Sequence, residues 1–372
     1  MATKVAGQIV SIVRMNCDMK IRNMVIRNKI SIIVVMLVLI TSMVEARRIQ
    51  YGPVQQIAGP GGKEYPHAGF TTWESGIEPH ERYLVFEPAN PTPQKAGLVL
   101  LIHDLMYPAP QYYMGHIRHL CRRGWIVLFP FYEGTDQPAK HYMFNIVRSL
   151  KDYLMRSFER NQIETDQTRF AIIGKGSGGI LAANTAAVYD YFGMPIPKVL
   201  MITMPDSNYA STKLLDLSGI SRETRLGIIS GDRVTEEEAI VARDIFYTAD
   251  RVKTVNKIFI TVQSDYYGQP PLIGDKKSTL TPEYPKAERF VAKYHNDFLQ
   301  SYNSRMLAPY VRADNIESFD WFVDYRVFDM LAIAAFNLNR DLKPMKKSEE
   351  LTSMGYWSDG RKVKPLIITD RP

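Results

Sequence analysis

Short apolar runs alternate with longer amphipathic stretches along most of the chain. Six of these runs hold four to six residues with few polar side chains, which predicts strands covered on both faces. They are Gly97–Ile102, Trp125–Phe129, Phe170–Ile173, Val199–Thr203, Leu226–Ile229 and Lys257–Val262. Helices are predicted between them at about 110–123, 142–162 and 236–247, and after the last strand at 316–338. This alternation predicts an α/β fold, with a doubly wound, mostly parallel sheet and helices on both faces.

The residues before the first buried strand have a different pattern. After an irregular stretch rich in Gly and Pro, two extended runs, Gly69–Glu74 and Arg82–Glu87, flank a turn-like segment. This arrangement predicts an antiparallel N-terminal hairpin at the edge of the sheet. We therefore divide the chain into an irregular segment with the edge hairpin (47–95), the α/β core (96–338) and a basic, irregular C-terminal tail (339–372).

Residues 1–46 have the features of a targeting segment. Lys29 precedes fourteen almost entirely apolar residues, Ile30–Met43, and the small residue Ala46 follows. A membrane-spanning helix needs about 20 apolar residues, so we predict a signal peptide cleaved after Ala46, with an uncleaved membrane anchor as the alternative. The protein is therefore expected to be secreted or periplasmic, and to contact a membrane only through this segment.

Composition and charge narrow the class of protein. The chain is 45% hydrophobic and 23% charged, which is typical of a globular protein. Its formal charge is +7, but residues 1–46 carry six Lys/Arg against two acidic residues, which leaves +3 for the rest. That charge is too small and too scattered to indicate nucleic-acid binding. Cys121 is the one cysteine after the N-terminal segment, so no internal disulfide is expected.

A glycine-rich turn follows the predicted strand Phe170–Ile173. Gly174–Gly179 holds four glycines around Lys175 and Ser177, and an alanine-rich helix is predicted after it. In hydrolases a strand, a tight turn and a helix in this order carry a nucleophile within the pattern small-x-nucleophile-x-small. Here the centre of that pattern is Gly176, so the turn is kept but the nucleophile is absent.

From about Gly59 to Pro365 the sequence resembles the α/β-hydrolases, in particular secreted bacterial members of the dienelactone-hydrolase and lipase type. The resemblance implies the α/β-hydrolase fold, a small apolar or ester-like ligand or substrate, and no cofactor. The segments that carry it lie in the family's order and spacing: Leu100–Asp104 (the oxyanion strand), Gly124–Pro130 (the next strand), Ile172–Gly179 (the nucleophile turn), and Val262–Asp265 with Pro271–Lys276 (the loop with the catalytic histidine).

The resemblance also implies a catalytic triad, and all three of its positions are changed in this chain. The nucleophile position falls on Gly176, the carboxylate position on Val234 and the histidine position on Lys276. A serine hydrolase needs a hydroxyl that attacks, an imidazole that takes its proton and a carboxylate that orients the imidazole. The leading hypothesis is therefore a protein without serine-hydrolase activity that acts by binding a small ligand or a partner. The emptied turn is expected to enlarge a concave site at the strand ends, where such a ligand would bind.

Displaced residues give an alternative hypothesis, an active carboxylic-ester hydrolase. Ser177 would be the nucleophile in a frame shifted by one residue, although Lys175 then stands where a small residue is needed. Asp232 would replace the missing carboxylate, and either His295 or His103 would act as the base.

The loop after the first core strand is expected to differ from a working oxyanion hole. His103 fits the loop pattern and should support the loop by hydrogen bonding, and Ser177 belongs to the same region. Asp104 stands where the family usually has glycine, and a carboxylate pointing inward would repel the charge that an oxyanion hole stabilises. We also predict a salt bridge between Lys276 and Asp104 across the vacated pocket, with a separation of at most about 4 Å.

Other chemistries are not supported by the sequence. His116 and His119 have no third ligand nearby, so no metal site is predicted, and both are expected on the surface of a helix. The glycine turn follows several earlier strands, which argues against a dinucleotide site. Five tyrosines near the predicted strand ends are candidates for lining a cleft: Tyr107, Tyr112, Tyr113, Tyr266 and Tyr267.

Overall fold

The structure is a computed structural model that describes residues 50–76, 79–133, 138–160, 163–207, 213–281, 318–337 and 340–372. The predicted targeting segment (1–46) and His295 lie outside these ranges. Within them, no helix is both long enough and apolar enough to cross a bilayer.

In the described residues, nine strands form one sheet: β1 Gly69–Ser75, β2 Tyr83–Ala89, β3 Lys95–Ile102, β4 Trp125–Pro130, β5 Glu164–Lys175, β6 Pro197–Thr203, β7 Arg225–Gly231, β8 Lys257–Val262 and β9 Ile367–Thr369. Their order in the sheet is β1-β2-β4-β3-β5-β6-β7-β8-β9. Strands β3 to β8 are parallel to one another, whereas β1, β2 and β9 are antiparallel to their neighbours. The predicted edge hairpin and parallel core are therefore confirmed.

Helices cover both faces of the sheet, as predicted. They are α1 Met114–Arg122, α2 Tyr142–Arg160, α3 Gly178–Ala187, α4 Glu236–Thr248, α5 Arg326–Ala332 and α6 Glu349–Thr352, and π-helical turns at Asp320–Tyr325 and Ile333–Asn337 flank α5. Successive residues of β3 show why both faces are covered: Val99 packs in one apolar cluster with α1 and α5, and Leu100 packs in a second cluster with α2, α3 and α4. This alternation buries the parallel strands on both sides.

Two strands differ from their predictions. β5 begins at Glu164, earlier than predicted, because its polar first half pairs with β3 before a register shift at Gly97/Leu98. The tail was predicted to be irregular, but it contributes β9, which pairs with β8 through only three residues. A strand of three residues is too short to give an alternating pattern in the sequence.

The prediction that His116 and His119 lie at the surface is wrong, because both are buried. His119 stacks on Tyr325 with ring centroids 4.2 Å apart, and its Nε2 lies 3.1 Å from Asp329 Oδ1. Burial, with a smaller contribution from the Lys175 ammonium, holds the pKa of His116 well below its usual value, so this imidazole is neutral. The helical pattern of α1 could not reveal these contacts because they come from the distant π-helical turn and α5.

Candidate functional site

The glycine turn connects β5 to α3 at the carboxyl edge of the sheet. Gly176 has φ +54°, a left-handed conformation that side chains rarely adopt, and its N–H donates to Thr203 O at 3.0 Å. A Cβ on Gly178 would collide with the carbonyl oxygens of Ile102 and His103 at the end of β3. The turn therefore has the tight geometry of a nucleophile turn, pressed against the neighbouring strand.

Asp104 fills the space that a nucleophile would occupy. A Cβ built on Gly176 would collide with the Asp104 carboxylate and would lie 2.9 Å from Asp104 Cβ. The vacated position was expected to enlarge a concave site, and this expectation is wrong. The reason is that the loop after β3 turns its carboxylate inward, where only a glycine at position 176 leaves room for it.

The same carboxylate binds Ser177, the displaced nucleophile of the alternative hypothesis. Ser177 Oγ donates to Asp104 Oδ1 at 2.9 Å and accepts from Leu105 N at 2.9 Å. Met106 N donates to the same Asp104 oxygen at 3.0 Å. Ser177 has no exposed surface, so its hydroxyl is held inside the loop.

Lys276, which the sequence resemblance places at the histidine position, is surrounded by three carboxylates. Its Nζ contacts the buried Asp206 carboxylate most closely and lies 3.8 Å from both Asp104 Oδ2 and Glu238 Oε1. The predicted Lys276–Asp104 pair is thus within 4 Å, but Asp206 is the nearer partner. Burial opposes the charged form of Lys276, yet Asp104 and Asp206 together raise its pKa, so the ammonium is retained.

Val234, at the predicted carboxylate position, and Asp232, its proposed replacement, both have structural contacts. Val234 packs against the apolar cluster that holds α1 and α5. Asp232 accepts hydrogen bonds from Ser264 N at 2.8 Å and from Ser264 Oγ, which joins the loop after β7 to the loop after β8. Among the described residues, the Asp232 carboxylate accepts no hydrogen bond from an imidazole, and the Val234 side chain has no polar group to offer one.

His103 supports the loop that follows β3. Its ring is fully buried and stacks on Tyr132 with centroids 4.4 Å apart. Its Nδ1 lies 3.0 Å from Asp104 O and its Nε2 lies 3.1 Å from Glu133 Oε2. In the part of the chain that the structure describes, no histidine ring is hydrogen-bonded to Ser177, and the other candidate base, His295, falls outside it.

A buried ion pair holds the glycine turn against the π-helical turn before α5. The sequence did not predict this pair. Lys175 Nζ lies 2.5 Å from Asp324 Oδ1 in the π-helical turn before α5, and their side chains are 0% and 1% exposed. Burial raises the pKa of Asp324, and Lys175 opposes that rise. Lys175, which occupies a position that the shifted nucleophile frame reserves for a small residue, therefore connects β5 to the helix that covers the sheet.

The predicted tyrosine cleft does not form as one group. Tyr107, Tyr112 and Tyr113 are buried in the core, whereas Tyr266 and Tyr267 are exposed. Within the described ranges, no group of three or more His, Cys, Asp or Glu side chains is placed to hold a metal ion.

Replacing Lys276 with methionine is expected to lower the free energy of unfolding by about 1–3 kcal/mol, because buried carboxylates lose their cation. Burial raises the pKa of Asp104 and Lys276 opposes this rise, so the pKa of Asp104 should increase further in the variant. The folded state then keeps a proton that the unfolded chain releases near the ordinary value of 3.8, so stability falls as the pH rises above that value.

Urea denaturation at pH 5 and pH 8 measures this effect, which should be larger at pH 8. Lys277→Met is the matched control, because Lys277 lies on the same turn but is exposed. Equal stability losses in the two variants would show that Lys276 does not balance buried carboxylates.

Comparison with known proteins finds likeness of fold alone. No family model and no curated protein sequence matches the chain. A structure from a study of two esterases of the fungus Rhizomucor miehei is 12% identical, with a TM-score of 0.42, and the match covers 64% of this chain and 85% of that one. An inhibited esterase B from Lactobacillus rhamnosis is 14% identical, with a TM-score of 0.42 and coverage of 64% and 91%. The strand order and the glycine turn, rather than these low scores, carry the conclusion that the chain has the α/β-hydrolase fold.

Proposed function

We propose that this protein is an α/β-hydrolase-fold protein that lacks serine-hydrolase activity and acts by binding a small ligand or a partner. We further propose that residues 1–46 direct it out of the cytoplasm, on the basis of the basic residues and the short apolar run described above. The proposal about activity depends on the carboxyl edge of the sheet, and the proposal about export depends on the N-terminal segment alone.

The observation that carries the proposal about activity is the position of the Asp104 carboxylate. It fills the space in front of Gly176 where a reacting hydroxyl would stand. A tetrahedral intermediate of acyl transfer carries negative charge, which an adjacent carboxylate would repel if ionised. Lys276 does not replace a general base there, because its ammonium is bound by Asp206 and keeps its proton.

One contact favours the alternative, an active ester hydrolase. Ser177 Oγ donates to the Asp104 carboxylate at 2.9 Å, and burial raises the pKa of that carboxyl, which makes its ionised form a stronger proton acceptor. However, a nucleophile must reach the substrate, and Ser177 is fully buried with its oxygen also bound by Leu105 N. The contact therefore supports the loop better than it supports catalysis.

A fluorophosphonate probe tests the proposal directly, because such probes react with activated serines. We expect no labelling of the purified protein, and no turnover of p-nitrophenyl acetate above that of Ser177→Ala. An active esterase of the same fold, assayed beside it, checks the probe. Labelling or turnover that disappears in Ser177→Ala would overturn the proposal, and loss of either in His295→Ala or His103→Ala would identify the base.

A further inference from the structure

A cavity of about 290 Å³ lies far from the glycine turn, where β4 and β5 begin. Its walls include Trp125 at the start of β4, Arg169 in the first half of β5, Ala332 at the end of α5, and Ile333 in the π-helical turn that follows. Arg169 precedes Gly176 by seven residues on an extended chain, which places the cavity about 20 Å from the site described above.

Arg169 is held in one orientation by aromatic rings. Its guanidinium carbon lies 4.8 Å from the centroid of Trp125 and 5.7 Å from that of Phe336. Trp125 is fixed in turn, because its ring lies against β3 where Gly97 has no side chain; a Cβ there would be 2.7 Å from Trp125 Cε3. The arginine therefore has little freedom left to lose when a ligand binds.

The Arg169 side chain has stacking contacts but no hydrogen bond or ion pair among the described residues. Its Nε is buried from solvent and has no hydrogen-bond partner there. Arg169 as a whole is half-buried, but a buried Nε–H without an acceptor still destabilises the free protein. A hydrogen-bond acceptor that enters the cavity would remove this penalty. Because the donor belongs to a cation, an anionic acceptor is favoured.

The other two charges of the cavity form an ion pair with each other. Arg123 Nε lies 3.2 Å from Asp329 Oδ2, and its terminal nitrogens donate to the carbonyl oxygens of Gly59, Gly62 and Glu64. Burial works against ionisation of Asp329, but His119 and Arg123 together hold its pKa below the usual value. The Asp329 carboxylate is thus ionised and neutralised, and Arg169 is the charge available to a ligand.

We propose that this cavity binds a small monocarboxylate with an apolar body, through Arg169. The flat fork of a guanidinium matches a carboxylate with two parallel hydrogen bonds. A single available cation suits a monoanion better than a doubly charged phosphate, and Trp125, Ala332 and Ile333 supply apolar surface for the body of the ligand. The inference does not rest on the proposed function, since it concerns the opposite edge of the sheet.

Calorimetric titration of the full-length protein with benzoate and butanoate tests the proposal, with benzamide, butanamide and inorganic phosphate as comparison probes at constant ionic strength. We expect saturable binding of the carboxylates, and weaker or no binding of the amides and of phosphate. Arg169→Gln should weaken benzoate binding by about tenfold to hundredfold, the range for loss of a charge-assisted bidentate contact. The affinity of Arg169→Lys for benzoate should lie between that of the wild type and that of Arg169→Gln.

Two further variants keep the test decisive. Arg148→Gln removes an exposed arginine of α2, which pairs with Glu81, and this variant should bind benzoate like the wild type. Ile333→Trp keeps Arg169 but fills the cavity, so it should abolish binding even if the Arg169 variants fail to fold. The proposal is overturned if neither carboxylate binds saturably, if the amides or phosphate bind as tightly, or if Arg169→Gln or Ile333→Trp binds like the wild type. Ester turnover and fluorophosphonate labelling report on the glycine turn, so a failure there is distinguishable from a failure here.

Discussion

Replacing Lys175 with methionine is expected to lower the free energy of unfolding by about 3–5 kcal/mol at pH 8, the range for removing one partner of a buried ion pair. The ammonium lies 2.5 Å from Asp324 Oδ1, and neither side chain reaches solvent. Methionine has a similar length, so the packing under the glycine turn is largely kept. The loss arises because the Asp324 carboxylate stays buried without its cation.

The same variant should show a pH dependence of known sign. Burial raises the pKa of Asp324 and Lys175 opposes the rise, so removal of Lys175 raises this pKa further. Between the ordinary value of 3.8 and the raised value, the folded state holds a proton that the unfolded chain has released. Stability therefore falls as the pH rises through that window, and the deficit of the variant should be smaller at pH 5 than at pH 8.

Chemical denaturation of Lys175→Met, Asp324→Leu and the double variant at both pH values measures these effects. The double variant removes both charges and should recover most of the loss, because two apolar side chains can replace a buried pair at little cost. Lys151→Met, at an exposed position of α2, is the matched control. A Lys175→Met protein as stable at pH 8 as the control would contradict a role for this pair.

Most of the fold could be predicted because its information is local. Each of the six apolar runs became a strand of the parallel core, since a strand covered on both faces needs a continuous apolar sequence. The antiparallel hairpin was predicted from two extended runs and the turn between them. β9 escaped because its pairing with β8 depends on the path of the tail and not on its own three residues.

The candidate site was only partly predictable because its contacts join distant parts of the chain. Sequence motifs brought Gly176, Asp104 and Lys276 together, since each occupies a recognisable loop of the fold. Asp206 and Glu238, the further partners of Lys276, carry no such motif, and Glu238 already has a local role in the N-terminal cap of α4. A residue that completes a capping box gives no sign in sequence that it also faces a distant lysine.

Gly176, Asp104 and Lys276 are physically interdependent. Asp104 occupies space that exists only because position 176 is a glycine. The buried Asp104 carboxylate is in turn close to the cation of Lys276, which Asp206 holds in place. The positions of these residues therefore depend on one another, and a larger side chain at position 176 alone should disturb the whole arrangement.

Gly176→Ser is accordingly expected to lower the free energy of unfolding by about 2–4 kcal/mol, of which about 1–2 kcal/mol reflects the left-handed backbone and the rest the collision with Asp104. Gly193→Ser is a matched control, because Gly193 has φ +61° but open space around its Cβ position. Gly193→Ser should lose only the part of the unfolding free energy that comes from the left-handed backbone. Thermal and urea denaturation of both variants separate the two contributions.

Removing the carboxylate should restore room for the new side chain. Gly176→Ser combined with Asp104→Gly is expected to be more stable than Gly176→Ser alone, even though Asp104→Gly by itself destabilises the loop by removing the acceptor of Ser177 and Met106. Such coupling arises only if the two side chains compete for one space. If the two substitutions were simply additive, or if Gly176→Ser cost no more than Gly193→Ser, the Asp104 carboxylate would not be what fills the nucleophile position.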